Sequence, residues 1–244
     1  MMKLTILGAS GAFPAPGTAT SGYLLEIDGH HVLIDCGSGV LSRLQDHIRL
    51  DQLEAIILTH LHSDHTSDIG VLKYAMDLGR KFGQPIGKIP LWSPATPQPL
   101  AIALESPDNF EQRTLKDDQS FELFGATIRC FATEHPFETY GLRIEKDGKV
   151  LATTADTIPC ANLAPLLRAA DLALMDAGSL ERLRAPAMVH LTAAECGQIA
   201  SDNQVHRLLL IHLLPFFDPE ETLAEARTHF PNAEIAQPGR TYVI

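Results

Sequence analysis

The stretch Thr59-His60-Leu61-His62-Ser63-Asp64-His65 constrains this chain more than any other. Three imidazoles and a carboxylate fall within six residues. Imidazole nitrogen and carboxylate oxygen are the donors that zinc and similar divalent metals prefer. The apolar run Ala55-Ile56-Ile57-Leu58 before it reads as a buried strand, and Thr66 to Lys81 after it reads as a helix. The cluster therefore sits on a turn at the carboxyl end of a strand, where α/β proteins place their chemistry. Side chains alternate along an extended turn, so His60 and His62 face the same way. Asp64 and His65 are adjacent, so they diverge and are free to serve a second metal. Histidine is only 11 of 244 residues, so composition alone does not explain this spacing.

Around that turn the chain alternates strands and helices. Leu4 to Leu7 reads as a first strand, followed by a glycine-rich turn over 8–22 that lacks the Gly-Lys-Ser/Thr ending of a nucleotide-binding P-loop. Tyr23 to Ile27 and His31 to Ile34 flank Asp28-Gly29 as a hairpin. Asp35-Cys36-Gly37-Ser38-Gly39 then opens a helix to Ile48. Asp35 is placed either to hydrogen-bond a metal-bound histidine or to cap that helix. Residues 84–120 are irregular, with a short strand at Ile89 to Trp92 and a helix near 97–104. Phe121–Phe124, Ala126–Ala132, Tyr140–Glu145 and Val150–Thr154 suggest an antiparallel meander in a second sheet. A helix near 161–169 and a strand Leu172–Met175 follow. Thr192-Ala193-Ala194-Glu195 is a capping box opening a helix to Asp202. Leu208–Ile211 reads as a buried strand, and Asp218 caps a last helix from Pro219 to Phe230.

Charge and cysteine usage exclude several classes. The formal charge of −11 repels a phosphate backbone and argues against a broad nucleic-acid surface, while bound cations leave a small anionic substrate open. No apolar run reaches membrane-spanning length, and the first ten residues do not form a secretory signal. Cys36, Cys130, Cys160 and Cys196 make no Cys-x-x-Cys pair, which points to free thiols in a reducing cytoplasm. The chain, 1–244, reads as one domain with ample residues for a core.

Three more ligand-type residues stand where apolar strands end: His135 after Ile128–Thr133, Asp156 after Leu151–Thr154, and His212 after Leu208–Ile211. The recurrence points to convergence on one site. In order, His60-x-His62-x-Asp64-His65, His135, Asp156 and His212 resemble the ligand motifs of the metallo-β-lactamase superfamily of metal-dependent hydrolases, over nearly the whole chain. The resemblance implies an α/β (α+β) four-layer αββα sandwich. It implies two divalent metal ions, zinc by ligand type with Mn²⁺ or Fe as alternatives. One would be held by His60, His62 and His135, the other by Asp64, His65 and His212, with Asp156 bridging. It also implies a homodimer.

His190, in His190-Leu191-Thr192-Ala193, is similar to the histidine motif of the ribonuclease Z and phosphodiesterase branch. There the matching histidine contacts the scissile phosphate, and Asp176 matches the acid behind it. The branch implies that Asp176 orients the His190 ring and raises its pKa. Ribonuclease Z carries a long basic transfer-RNA arm between the positions of His135 and Asp156, which here are 21 positions apart with a plain hairpin between. A small phosphodiester or nucleotide is therefore favoured over large nucleic acid. The implied reaction is two-metal hydrolysis by a metal-bridged hydroxide, with Asp64 accepting the nucleophile's proton and His190 serving the departing oxygen. The same ligands also suit a lactonase or thioesterase acting on other esters, ribonuclease Z-like RNA processing, or a non-catalytic metal-binding scaffold.

Overall fold

The computed structural model describes residues 1–244. The first half of the chain runs β1 Met2–Gly8, β2 Gly22–Ile27, β3 His30–Ile34, α1 Val40–Leu44, β4 Leu53–Ile57, α2 Ser63–Thr66, α3 Ile69–Lys81, β5 Ile89–Ser93, α4 Gln98–Ala103 and β6 Phe110–Thr114. The second half runs β7 Ser120–Leu123, β8 Ala126–Ala132, β9 Tyr140–Lys146, β10 Lys149–Thr153, α5 Leu163–Leu167, β11 Leu172–Asp176, α6 Ala193–Asp202, β12 Leu208–Ile211, α7 Pro219–Arg227, β13 Glu234–Ile235 and β14 Thr241–Val243. Two mixed seven-stranded sheets result, ordered β14-β1-β2-β3-β4-β5-β6 and β13-β12-β11-β10-β9-β8-β7.

Period-two alternation explains the layering. In the first sheet, Tyr23, Leu25, Val32, Ile34, Ala55 and Ile57 face the second sheet, where they meet Ile128, Leu142, Ile144, Leu174 and Ile211. The intervening residues Leu24, Leu33, Ile56 and Leu58 face outward and are covered by Val40, Leu44, Ile69, Leu72 and Met76 of α1 and α3. On the far side, Ala173, Met175, Leu208 and Leu210 are covered by Leu163, Leu166, Cys196 and Ala226 of α5, α6 and α7. Three apolar layers between four secondary-structure layers make the αββα sandwich. No helix is long and apolar enough to cross a membrane.

Several elements depart from the sequence pattern. The helix expected from Asp35 to Ile48 shrinks to Val40–Leu44, with Gly39 in its N-cap position at φ 84°. The helix expected over 66–81 is two pieces, the single turn α2 and then α3. Strand β6 has no hydrophobic alternation because only Phe110 is buried and the other four residues are exposed. Strands β13 and β14 have two and three residues, too few for a periodic signal. Helix α6 starts as read, with Thr192 and Glu195 completing the reciprocal capping box, and Asp218 accepts from the Glu220 amide at the start of α7.

Leu142 is fully buried between the sheets. Leu142→Ala should lower stability by ~2–5 kcal/mol, read as a fall in the urea midpoint. Val71→Ala on the open face of α3, where Val71 is 58% exposed, should stay within about 0.5 kcal/mol.

Candidate metal centre

The carboxyl ends of β4, β8, β10, β11 and β12 meet along one edge of the two sheets and deliver His60, His135, Asp156, Asp176 and His212 there. The sheets are tied at that edge by the Tyr140 amide, which donates to the Thr59 carbonyl at 3.0 Å. His62 occupies the N-cap position of α2, and Asp64 and His65 lie in its one turn. All seven residues singled out in the sequence fall into two groups of potential donors: His60, His62, His135 and Asp156, and Asp64, His65, Asp156 and His212. Asp156 belongs to both. Its Oδ2 lies 3.6 Å from His60 Nε2 and 3.9 Å from His135 Nε2. Its Oδ1 lies 3.4 Å from His65 Nε2 and 3.1 Å from His212 Nδ1. One carboxylate thus turns one oxygen toward each group.

The hydrogen bonds on the far side of each ring decide which nitrogen faces inward. His135 Nδ1 donates to the Val189 carbonyl at 3.1 Å. His65 Nδ1 donates to Asp35 Oδ2 at 2.8 Å. Thr59 Oγ1 gives its proton to Asp35, 2.9 Å from Oδ2, and so accepts from His60 Nδ1 at 3.2 Å. Asp35 is therefore the orienting carboxylate of both groups, directly for His65 and through Thr59 for His60. It caps no helix. The turn that carries it needs Gly37, where a Cβ would fall 1.9 Å from the Asp64 carbonyl oxygen. The Phe137 ring packs against His62, inclined by 34° with centroids 3.8 Å apart. The glycine-rich turn over 8–22 reaches the site as well, since the Ala12 amide donates to Asp64 Oδ2 at 2.9 Å.

These constraints leave buried donor-type atoms without enough protein partners. His60 Nε2 and His135 Nε2 lie 3.0 and 3.1 Å from His62 Nδ1, so a single ring proton is all that is available for both contacts. In the other group, His65 Nε2, Asp156 Oδ1 and His212 Nδ1 are buried without any hydrogen-bond partner. Buried polar atoms rarely go unpaired, and each such atom costs about 1–3 kcal/mol. Two divalent cations would satisfy both sets, and the donors, five imidazoles with two carboxylates, are of the type such cations take.

Protonation follows the same division. Burial, reinforced by the neighbouring His65, pushes His60 well below its ordinary range. Burial and the neighbouring His135 also lower His62. Burial opposes the charge on His65, yet Asp156 and Asp35 raise it well above that range. Burial would raise Asp156, but His212, His65 and His60 hold it far down. Four non-glycine residues beside the site, Ala12, Asp35, Ala155 and His212, adopt left-handed backbone at φ 52–57°. Such conformations cost about 1–3 kcal/mol each and collect at functional sites.

His190 flanks both groups without entering either. Its ring lies 4.7 Å from that of His212 and 5.3 Å from that of His135. His190 Nδ1 donates to Asp176 Oδ2 at 2.9 Å. Asp176 is fully buried and also accepts the Thr157 and Gly178 amides at 3.0 and 2.9 Å. Burial works against a charged His190, but the Asp176 carboxylate pushes its pKa up to about 9. With Nδ1 committed to Asp176, Nε2 is the nitrogen left to act.

Sequence reasoning found all these side chains except Thr59 and Phe137 in their supporting roles. It assigned no partner to the Ala12 amide or the Val189 carbonyl, because backbone groups have no residue signature. Thr59→Val removes the hydroxyl that links His60 to Asp35. It should weaken metal affinity roughly 10- to 100-fold in chelator competition, and Asp35→Asn, which touches both groups, should weaken it more. Unchanged affinity in both variants would strip the relay of its role.

Comparison with known proteins agrees with this geometry. A family profile described as a β-lactamase superfamily domain matches residues 30–213. The chain is 31% identical over 234 residues to the probable metallo-hydrolase YhfI of Bacillus subtilis, covering 96% of each chain. The crystal structure of YhfI superposes with a TM-score of 0.94 over 99% of this chain and 98% of that one. Ribonuclease Z of Mycobacterium sp. (strain KMS) is 27% identical over 262 residues, covering 95% of this chain and 92% of the relative. A diphosphatase from the PhnP family shares the fold at a TM-score of 0.79 and 22% identity, over 100% of this chain and 98% of its own. With most of its length matched and its two sheets superposed, the chain belongs to the metallo-β-lactamase superfamily.

Proposed function

We propose that this chain is a metal-dependent phosphodiesterase acting on a small phosphodiester or nucleotide. The observation that carries the reading is the His190–Asp176 pair, which sets an oriented proton donor beside both groups of metal-type residues. Hydrolysis at a carbonyl has less use for it, because the alkoxide or thiolate leaving groups of lactones and thioesters depart more readily than an alkoxide from phosphorus. The ribonuclease Z relative is named for cleavage at phosphorus, which supports the same choice. Support for a small substrate comes from the connection between β8 and β10, which is the plain β9 hairpin strand and turn with no room for an arm. A cleft of about 470 Å³ lined by Glu134, His135, Pro136, Met188 and Val189 offers space for one ester arm beside His190. Four free thiols, three of them buried, suit a reducing cytoplasm.

His60, His62, His135 and Asp156 would hold one cation, and Asp64, His65, Asp156 and His212 the other. Bound there, divalent cations, with zinc best suited to these donors, supply charge against phosphate oxygens and make nearby water more acidic. The protein's own residues do the rest. Asp64, whose Oδ2 accepts the Ala12 amide, would take the proton of the attacking water. His190 Nε2 donates its proton to the departing oxygen, while Asp176 holds the ring. The burial of Asp156 and His65 keeps bulk water from screening these charges.

A leaving-group series tests this assignment. His190→Ala should lower kcat by ~10²-fold or more on a diester with an alkyl leaving group, and far less on bis(p-nitrophenyl) phosphate, whose phenolate needs no proton. Equal losses on both, or none, would remove His190 from proton transfer. Chelation should abolish turnover, and Zn²⁺ or Mn²⁺ should restore it with two equivalents bound. Protein that stays fully folded, binds metal and turns over neither diester would favour the metal-binding scaffold reading.

A further inference from the structure

Two exposed aromatic rings, on loops hydrogen-bonded to the metal-type residues or to each other, have no place in the core. Phe13 is 38% exposed and Phe216 is 78% exposed, and their centroids lie 5.0 Å apart with planes inclined by 59°. Phe217, next in sequence, differs: it is half-buried, lines an apolar cavity with Leu213 and Pro215, and lies under the Arg182 guanidinium. Exposed singly, a Phe needs no explanation. Here two loops bring their phenylalanines together, and both loops are bound to the metal-type residues.

The connections are short. The Gly11 amide donates to the Leu213 carbonyl at 2.9 Å, and the Leu213 amide donates to the Ala9 carbonyl at 2.9 Å. Segment 9–13 and segment 212–216 thus run stitched side by side. Phe13 follows Ala12, whose amide holds Asp64. Phe216 stands four residues after His212, and Gly11 approaches that histidine so closely that a Cβ would lie 2.3 Å from its Cδ2. Pro14 and Pro215 flank the two rings and limit the backbone on which each is carried. The pair is continuous with the site, and its place is fixed by the same bonds that fix Asp64 and His212.

We propose that Phe13 and Phe216 form a stacking platform for a planar aromatic group, so that the substrate carries a nucleobase or a comparable ring on one arm of its phosphodiester. The inference rests on the phosphodiesterase reading and narrows it. The two rings together offer on the order of 200 Å² of surface, enough for one base but far below the ~1,200 Å² of a specific protein interface. Stacking accepts any base, because each has a π face, so the platform selects for a ring without choosing among bases. With the planes inclined, a flat ring lying on Phe216 meets Phe13 along its edge, an arrangement that aromatic pairs favour.

Binding to Mn²⁺-loaded protein, read by calorimetry, tests the platform apart from turnover. Adenosine 5′-monophosphate, uridine 5′-monophosphate and ribose 5-phosphate share the phosphate and sugar and differ in the ring. Both nucleotides should bind about tenfold or more tightly than ribose 5-phosphate. In Phe13→Ala/Phe216→Ala all three should bind alike, at the affinity of ribose 5-phosphate. Phe216→Tyr should restore most of the difference and Phe216→Leu little of it, which separates stacking from bulk. Equal binding by the wild type, or a preference that survives the double substitution, would overturn the platform. A ring preference without turnover of any diester would sink the phosphodiesterase reading alone, whereas turnover of alkyl diesters without a ring preference would sink the platform alone.

Discussion

A carboxylate buried between two sets of imidazoles is the constraint on which this structure turns. Asp156 is 1% exposed, and Oδ1 has no hydrogen-bond donor. Such a group is expensive to bury unless opposite charge compensates it. Everything at the sheet edge is arranged around that need. β10 brings Asp156 to the edge in parallel with β11, and β11 brings Asp176 beside it from the next strand. The first sheet answers with the one-turn helix α2. His65 Nε2, Asp156 Oδ1 and His212 Nδ1 are left without protein partners there, an arrangement suited to a divalent cation.

Behind that edge, a second carboxylate organises the protein side of the site. Asp35 takes hydrogen bonds from His65, from the Thr59 hydroxyl and from the Thr59 amide at 2.7 Å. It does so from a left-handed backbone conformation that a glycine would adopt more readily. The strain and the short expected helix have one cause. Residues 35–39 are needed as a turn that packs under α2, with the Cys36 amide donating to the His65 carbonyl, so the helix cannot begin until Gly39 has been passed.

Much of this was legible because its signals are local. His60 to His65 declares itself within six residues, and His135, Asp156 and His212 each follow an apolar run whose alternation marks a strand. The assignment of Asp35 was open between a cap and an orienting role, since both place an acid at a strand end. Only the position of His65 on a separate one-turn helix decides between them. Strand β6 was unreadable because an edge strand with four exposed residues, Glu111 to Thr114, has no inside face to alternate against. The Ala12 and Val189 backbone groups were unreadable in principle, as any residue supplies them. Two adjacent aromatics in an irregular loop, Phe216 and Phe217, give no hint of which one turns inward.

The pairing at the margin of the first sheet bears on how the protein is made. Lys3, Leu4 and Thr5 pair with Val243, Tyr242 and Thr241, so β1 gains its second neighbour from residues about 240 positions later. At ~5–20 residues per second, a ribosome needs on the order of ten to fifty seconds to bridge that gap. Throughout that interval one side of β1 presents free amides and carbonyls on the nascent chain, an invitation to wrong strand partners. Sealing the sheet is thus a late event in biosynthesis.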